Sequence, residues 1–454
     1  MGGNALSGLT TGYRNVALGY QSANDITTGF KNTCLGEYAG DTLTTGDRNI
    51  IIGSYATPSS ATVDNEITLG DTNITKFRIP GLNFNVDSSG NVIAAKSIVS
   101  ENLSGRNMII NGDMRVNQRA TSVSMSSAGN TYDVCDRWQF NRNGVTSTLA
   151  QVDEAPDGSG FKKSLKITTT SAVGSISAGN MLSFGMRFET QDVKRLGYGS
   201  SDAKTATISF WVRGSLSGKI GVNCARDSRT FSANEDIVAN TWKFVEIVIP
   251  ADTSTGLSAA DTAAGFDLAI RFAAGSNFTS GTTGGNWIGF HTAYAAGFTA
   301  GQQGAYLTTN GSTIQVTGVQ LEIGSKATPF EHRSIAEELH LCQRYCQRHR
   351  YGTYHGFNFI GRKSGSSTVV GAMGGFLPMR DQPTSTVGNV AGFKLYRITD
   401  GSTHTPSSVS FTMENYTPYN ILKGTLACTT FSTGDLCTIM NTNQFGDLIL
   451  DAEL

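Results

Sequence analysis

Three segments near the amino terminus align at a fixed interval: Leu9-Thr-Thr-Gly-Tyr-Arg-Asn-Val-Ala-Leu-Gly19, Ile26-Thr-Thr-Gly-Phe-Lys-Asn-Thr-Cys-Leu-Gly36 and Leu43-Thr-Thr-Gly-Asp-Arg-Asn-Ile-Ile-Ile-Gly53 begin at 9, 26 and 43, hence every 17 residues. Self-similarity at a short period marks stacked units that bury a core only against their neighbours. Each unit carries an apolar triplet, Val16-Ala17-Leu18, Thr33-Cys34-Leu35 or Ile50-Ile51-Ile52, bracketed by Asn and Gly, which tolerate the positive φ of tight corners. A Gly/Thr linker would need no such triplets in phase. The expected structure is a repetitive β-coil over residues 1–65.

This pattern resembles the repetitive heads of trimeric adhesins and the shafts of phage tail fibres, in which three chains wind together. After it the texture changes to Ile67-Thr-Leu-Gly-Asp71, Phe77-Arg-Ile-Pro-Gly81 and Phe84-Asn-Val-Asp-Ser-Ser-Gly-Asn-Val92, short strands that read as a neck over 66–102.

A second resemblance sits on two motifs, Leu103-Ser-Gly-Arg-Asn-Met-Ile-Ile-Asn-Gly-Asp-Met114 and Val319-Gln-Leu-Glu-Ile-Gly-Ser-Lys-Ala-Thr-Pro-Phe-Glu-His332. Together they resemble the ends of a jelly-roll module of phage tail-fibre proteins that is related to carbohydrate-binding modules. The likeness implies a jelly-roll over 103–332, and implies that fold more firmly than any ligand. Strand periodicity points the same way. Ala206, Ile208, Phe210 and Val212 share one face of a strand and Thr207, Ser209, Trp211 and Arg213 the other. Val245, Ile247 and Ile249, and Phe266, Leu268, Ile270 and Phe272, form further apolar stripes, so two antiparallel sheets should pack on them.

The outer face of such a sandwich is where a sugar would sit, on an aromatic platform flanked by hydrogen-bonding groups. Trp211 with Arg213, Asn223, Asp267 and Arg271 forms the first candidate cluster; the other reading packs Trp211 under a loop or a neighbouring chain. Trp287, in the Gly-rich run 284–289, is expected at a loop edge, and Trp138 and Trp242 in the core or at its rim.

Ser334 to His349 reads as one short helix, within 333–350, with a capping box at Ser334 and Glu337. Ile335, Leu339, Cys342, Cys346 and His349 would share a face that packs at a three-fold axis. Cys342, Cys346 and His349 are either soft-metal ligands there or buried thiols in a seam. Residues 351–454 return to strands and are expected to form a C-terminal β-sandwich tip, with Tyr351, Tyr354 and His355 near its entrance as contacts for a receptor or for packing.

Charged residues are 16% of the 454, the formal net charge is −1, and no basic stripe exists to neutralise phosphates, so no nucleic acid is expected as partner. Seven cysteines without CxxC spacing read as thiols made in a reducing cytoplasm. No basic patch followed by an apolar run opens the chain and no 18 consecutive apolar residues occur, so neither a cleaved signal nor membrane insertion is expected. The repeat starts within ten residues of Met1, so the expectation is that either the chain begins inside a longer fibre or other phage tail or fibre proteins dock at the N-terminus.

No phosphate-binding, nucleophile-elbow or metalloprotease motif is present, no cofactor is implied, and adjacent carboxylates such as Asp153-Glu154 point to opposite faces of a strand and cannot flank one glycosidic bond. The expectation is therefore a non-enzymatic, all-β, homotrimeric fibre of a virion, made in the host cytoplasm, that binds a host surface polysaccharide through distal β domains. Two alternatives remain: a purely structural fibre segment or head decoration, and a polysaccharide depolymerase.

Overall fold

A computed structural model describes residues 2–79, 84–87, 92–94, 105–226, 229–254, 256–257, 260–279, 286–289, 304–351, 356–365, 367–373, 376–388, 390–416, 419–441 and 446–454. The chain falls into two compact units, Met1–Ser100 and Glu101–Leu454. Among the described residues no helix is long and apolar enough to cross a membrane.

In the first unit, β1 (Val16–Leu18), β2 (Thr33–Leu35), β3 (Ile50–Ile52) and β4 (Ile67–Leu69) form a parallel sheet in that order. Val16 pairs with Thr33, Thr33 with Ile50, and Ile50 with Ile67, so the triplets stack in register. The sheet thus takes in Ile67–Leu69, just past the residue where the repeat was expected to stop. The middle residues Ala17, Cys34 and Ile51 are buried. Corners fall where Arg14, Lys31, Arg48 and Asn65 adopt φ of 60°, 57°, 59° and 60°. An L residue there costs about 1–2 kcal/mol.

A buried asparagine ladder offsets that strain. The Oδ1 atoms of Asn15, Asn32 and Asn49 accept the backbone N–H of Asn32, Asn49 and Glu66, each at 2.9 Å. Their Nδ2 atoms donate to the carbonyls of Gly29, Gly46 and Val63 at 2.7, 2.7 and 2.6 Å. Beside the ladder, Gly19, Gly36 and Gly53 let successive turns touch: a Cβ on Gly36 would lie 2.5 Å from the carbonyl oxygen of Gly53. The unit closes with the antiparallel strands β5 (Lys76–Ile79), β6 (Phe84–Asp87) and β7 (Val92–Ala94).

The second unit opens with β8 (Ser122–Met125), β9 (Ala128–Thr131), β10 (Gln139–Asn143), β11 (Thr146–Val152), β12 (Ser164–Ser171), β13 (Met181–Glu189), β14 (Ala206–Gly214), β15 (Gly218–Arg226), β16 (Arg229–Ile237), β17 (Lys243–Ile249), β18 (Ala264–Ala274), β19 (Ile288–Gly289) and β20 (Thr313–Ile323). They form two antiparallel sheets, β19-β16-β15-β18-β13-β10-β9 and β17-β14-β20-β12-β11-β8. The apolar stripes expected at 206–212, 245–249 and 266–272 all lie in the core between them, so this part of the chain is a jelly-roll sandwich.

The two end motifs close this sandwich as a polar clasp. Met108 N donates to Leu321 O at 2.8 Å and Val319 N to Gly112 O at 2.9 Å. The Asn107 side chain accepts from Leu321 N at 3.1 Å, and Glu331 accepts from Asn107 N at 2.6 Å. Asn111, at φ 57°, donates its amide to the carbonyls of Val116 and Asp136, while its own carbonyl takes the Trp138 indole N–H at 2.9 Å. Buried polar groups require such partners.

The helix is shorter than the sequence suggests. Ile335–Gln343 is helical and Ser334 caps it by accepting Glu337 N, but β21 (Cys346–Tyr351) follows at once. Pairing of β21 with the last strand overrides the helical pattern. Cys342, Cys346 and His349 therefore share no helical face. Both cysteines are buried, with their thiols pushed up by that burial.

The remaining strands are β22 (Gly356–Ser364), β23 (Thr368–Met373), β24 (Thr384–Val387), β25 (Phe393–Arg397), β26 (Thr403–His404), β27 (Ser408–Tyr416), β28 (Tyr419–Ala427), β29 (Leu436–Asn441) and β30 (Gly446–Asp451). A sheet β21-β30-β24 and a sheet β26-β25-β29-β22-β23-β28-β27 supply residues to one core around Phe359, Phe393, Leu426, Ile439 and Leu448.

The end of β30 is seated on the jelly-roll by buried charge. Arg137 lies 3.5 Å from the centre of the Tyr345 ring and pairs with Glu453. Arg119 reaches Asp136 at 3.3 Å, Asp451 at 2.9 Å and Glu453 at 3.4 Å. Burial, only partly offset by Arg119 and by hydrogen bonds from Gln118, pushes the Asp136 carboxyl up to about 6.

Three outcomes are expected from these contacts. Asn32→Ala strands Asn49 N and Gly46 O and should lower coil stability by about 2 kcal/mol or more in thermal unfolding. Glu453→Ala leaves Arg137 and Arg119 short of an anion and should cost about 3–5 kcal/mol in chemical denaturation. The folded chain holds an extra proton on Asp136 between roughly pH 4 and 6, so this group adds stability as pH falls through that window and removes it as pH rises. Asp136→Asn should flatten that part of the stability-against-pH curve.

Candidate functional site

Strands β15, β18 and β13 occupy the middle of the seven-stranded sheet, and each alternates large apolar with small or polar residues. Ile220, Val222 and Cys224, Phe266, Leu268 and Ile270, and Leu182, Phe184 and Phe188 fill the core. By that same alternation Asn223 and Ala225, Asp267, Ala269 and Arg271, and Ser183, Gly185 and Arg187 rise on the other face. Small side chains in the centre leave a groove of about 400 Å³, to which Gln139 and Asn141 of β10, Asn130 of β9 and Phe278 also contribute.

Arg271 stands at its centre. It pairs across the backbone with Ser183 on one side and Gly221 on the other. Its Nε donates to Asn223 Oδ1 at 2.9 Å, and its guanidinium lies 5.2 Å from the Phe278 ring centre. Asn223 in turn donates to Ser232 Oγ at 3.0 Å, which fixes the amide's orientation. Burial pushes the Arg271 guanidinium down to about 10. Four residues along β18, Asp267 Oδ1 lies 3.5 Å from Arg187 Nε. Burial raises the Asp267 carboxyl and Arg187 partly counters it. Amide, guanidinium and hydroxyl groups around a small-residue floor suit a polyhydroxylated ligand. Among the described lining residues Asp267 is the one carboxylate, so no carboxylate pair flanks a bond there.

Of the residues singled out in the sequence, Asn223, Asp267 and Arg271 meet in this groove. Trp211 and Arg213 do not. They lie on β14, in the opposite sheet, where Trp211 packs 5.3 Å from Phe244 and Arg213 reaches Glu154 at 3.5 Å. Trp287 is not at a loop edge but buried, its indole N–H donating to Pro250 O at 2.8 Å and its ring packed against Tyr198 and Phe231. Trp287 and Tyr198 also flank Arg226, which is held by Asp252 at 2.5 Å. Tyr351 ends β21, but its side chain, with Tyr354 and His355, lies outside the described residues. Sequence reading missed Asn130, Gln139, Asn141, Ser183, Arg187 and Phe278. The alternation of Met181-Leu-Ser-Phe-Gly-Met-Arg-Phe-Glu189 marks Ser183, Gly185 and Arg187 as one face of a strand, but nothing in it says which strands are neighbours.

Among the described residues no group of three or more His, Cys, Asp or Glu could hold a metal.

The class defined here is an antiparallel β-sandwich of jelly-roll type with a polar groove on the outer face of its larger sheet. No family model matches the chain, and no curated protein does. Among solved structures it is similar to a CBM4 domain, at 13% identity over 47% of this chain and 98% of that one, TM-score 0.25. It is also similar to the CBM22-1 xylan-binding domain of Paenibacillus barcinonensis Xyn10C, at 14% over 47% and 100%, TM-score 0.23. A third likeness is to the enzymatically active domain of bacteriophage CBA120 tailspike protein 4, at 10% over 70% and 43%, TM-score 0.27. Nothing about this chain's ligand follows from these likenesses.

The placement of the two tryptophans has a measurable consequence. Trp287→Ala should cost about 3–5 kcal/mol in chemical unfolding. Trp211→Ala, on the half-buried outer face of the other sheet, should cost less than half of that.

Proposed function

We propose that the chain is a non-enzymatic subunit of a phage tail fibre that attaches the virion to its host by binding a surface glycan in the groove of the seven-stranded sheet. The observation that carries this reading is the groove itself: a cavity of about 400 Å³ whose floor is kept open by Ser183, Gly185, Ala225 and Ala269 and whose walls carry Asn130, Gln139, Asn141, Asn223 and Arg271. The resemblance of the Leu103–Met114 and Val319–His332 motifs to the fibre jelly-roll module supports the same reading. So does the coil, whose β1, β3 and β4 leave Val16, Leu18, Ile50, Ile52, Ile67 and Leu69 exposed in a stacked apolar stripe. A monomer gains nothing from such a stripe, whereas three copies would cover it. Three linked sites multiply a weak single-site affinity.

The test uses the full chain. Light scattering should give three times the 48.2 kDa chain mass. Ala269→Trp fills the groove floor without entering the core, and should abolish binding to host cells and envelope polysaccharide while leaving the melting temperature unchanged. A monomer in solution would overturn the trimer. Undiminished binding by Ala269→Trp would overturn the groove as receptor site and favour the strands after residue 351. Release of oligosaccharides from the polysaccharide would overturn the non-enzymatic assignment.

A further inference from the structure

Resting on the reading of the groove as a glycan site, we infer that Tyr132 is a positioning residue. It turns the carbonyl oxygen of the Gln139 amide toward the groove, so that this end of the groove takes a glycan hydroxyl as a hydrogen-bond donor. Phe140 of β10 points into the core, and Gln139 beside it therefore lines the outer face. Tyr132 follows β9 directly and brings its hydroxyl to the Gln139 amide.

An amide side chain can exchange its NH2 for its oxygen by half a turn, unless its neighbours permit only one order. Here they permit one. The Tyr132 hydroxyl has a single proton and donates it to Leu454 O at 2.8 Å, an acceptor with no proton to give in return. What the phenol offers Gln139 is then a lone pair, so the amide must present Nε2, which donates to Tyr132 Oη at 3.1 Å. The other arm of the amide, Oε1, is turned away from the phenol and left to the groove that Gln139 lines. Burial pushes the Tyr132 phenol up to about 12, so the proton on which this order depends is in place at neutral pH.

The acceptor that takes that proton is itself held. Ala452 N donates to Tyr345 O at 2.8 Å and Glu453 N to Asp451 Oδ1 at 3.1 Å. The Glu453 carboxylate pairs with Arg137 and lies 3.4 Å from Arg119. Arg137 also donates to the carbonyl of Arg187 on β13, a strand that lines the groove. The contacts that seat the end of β30 on the jelly-roll thus also set the polarity of a groove wall. An oxygen that can only accept selects a hydroxyl and disfavours an ether oxygen at that place, because two facing acceptors leave both unpaired.

The experiment measures equilibrium binding of the intact chain to purified host envelope polysaccharide at neutral pH. It compares the wild type with Tyr132→Phe, Gln139→Leu, the two combined, and Ala269→Trp. Tyr132→Phe lets the amide turn over and should weaken binding about threefold to tenfold, and Gln139→Leu by at least as much. In the combined variant the loss should equal that of Gln139→Leu alone, because the phenol acts only through the amide. A phenol that only braced the fold would add its loss to that of Gln139→Leu, so the combination separates the two roles even where Tyr132→Phe lowers the melting temperature. Should Tyr132→Phe not fold, Gln139→Leu decides alone, its loss supporting the assignment and unchanged binding overturning it. Additive losses, or binding by either single variant within about twofold of wild type, overturn the assignment and leave the groove reading standing where Ala269→Trp abolishes binding. No binding by the wild type, or undiminished binding by Ala269→Trp, overturns both.

Discussion

Successive side chains of a β-strand cannot share a face, and in the larger jelly-roll sheet this one constraint makes both the core and the groove. Phe266, Leu268 and Ile270 go down into the sandwich, so Asp267, Ala269 and Arg271 must come up. Neighbouring strands do the same in register, Ser183 opposite Arg271 and Asn223 opposite Ala269. A shift of one residue in β13 or β18 would send charged groups into the core and phenylalanines into the groove. The site is therefore as firmly fixed as the fold.

The same chain solves its other problem, tying distant parts together, with buried polar groups in place of more apolar surface. The asparagine ladder of the coil, the clasp between the 103–114 and 319–332 motifs, and the Arg137–Tyr345–Glu453 cluster under the last strand are three versions of one device. Each pairs most of the polar groups it buries only when a particular register is adopted, Arg137 Nε being left without a hydrogen bond, so each specifies geometry more than it adds stability. The motif residues that carry the tail-fibre resemblance, Asn107, Asn111, Gln320 and Glu331, bond one another and the backbone around them and do not line the groove.

Much of this was legible in the sequence wherever a period was clear. The stripes at 206–212, 245–249 and 266–272 are strands with the expected residues buried, and the three triplets of the coil are strands whose middle residues alone are buried. Parity gives the face of a strand but not the sheet it joins, and that is why Trp211 and Arg213 were grouped with Arg271 although β14 belongs to the opposite sheet. Trp287 sits in a glycine-rich run with no period to read, so its burial against Tyr198 and Phe231 was hidden. Past Gln343 the helical spacing of Cys342, Cys346 and His349 is overridden by pairing of β21 with β30, a partner about a hundred residues away that no local pattern reveals. The groove residues Asn130, Gln139, Asn141 and Phe278 are ordinary polar or apolar positions until strand order brings them beside Arg271.

A glycan held as proposed lies on the outer face of the seven-stranded sheet. Hydrogen exchange on the intact chain, with and without host envelope polysaccharide, tests it most directly. Slowed exchange confined to the backbone amides of β10, β13, β15 and β18 is expected. Protection confined to the strands between 356 and 441, or an unchanged pattern at saturating polysaccharide, would contradict it.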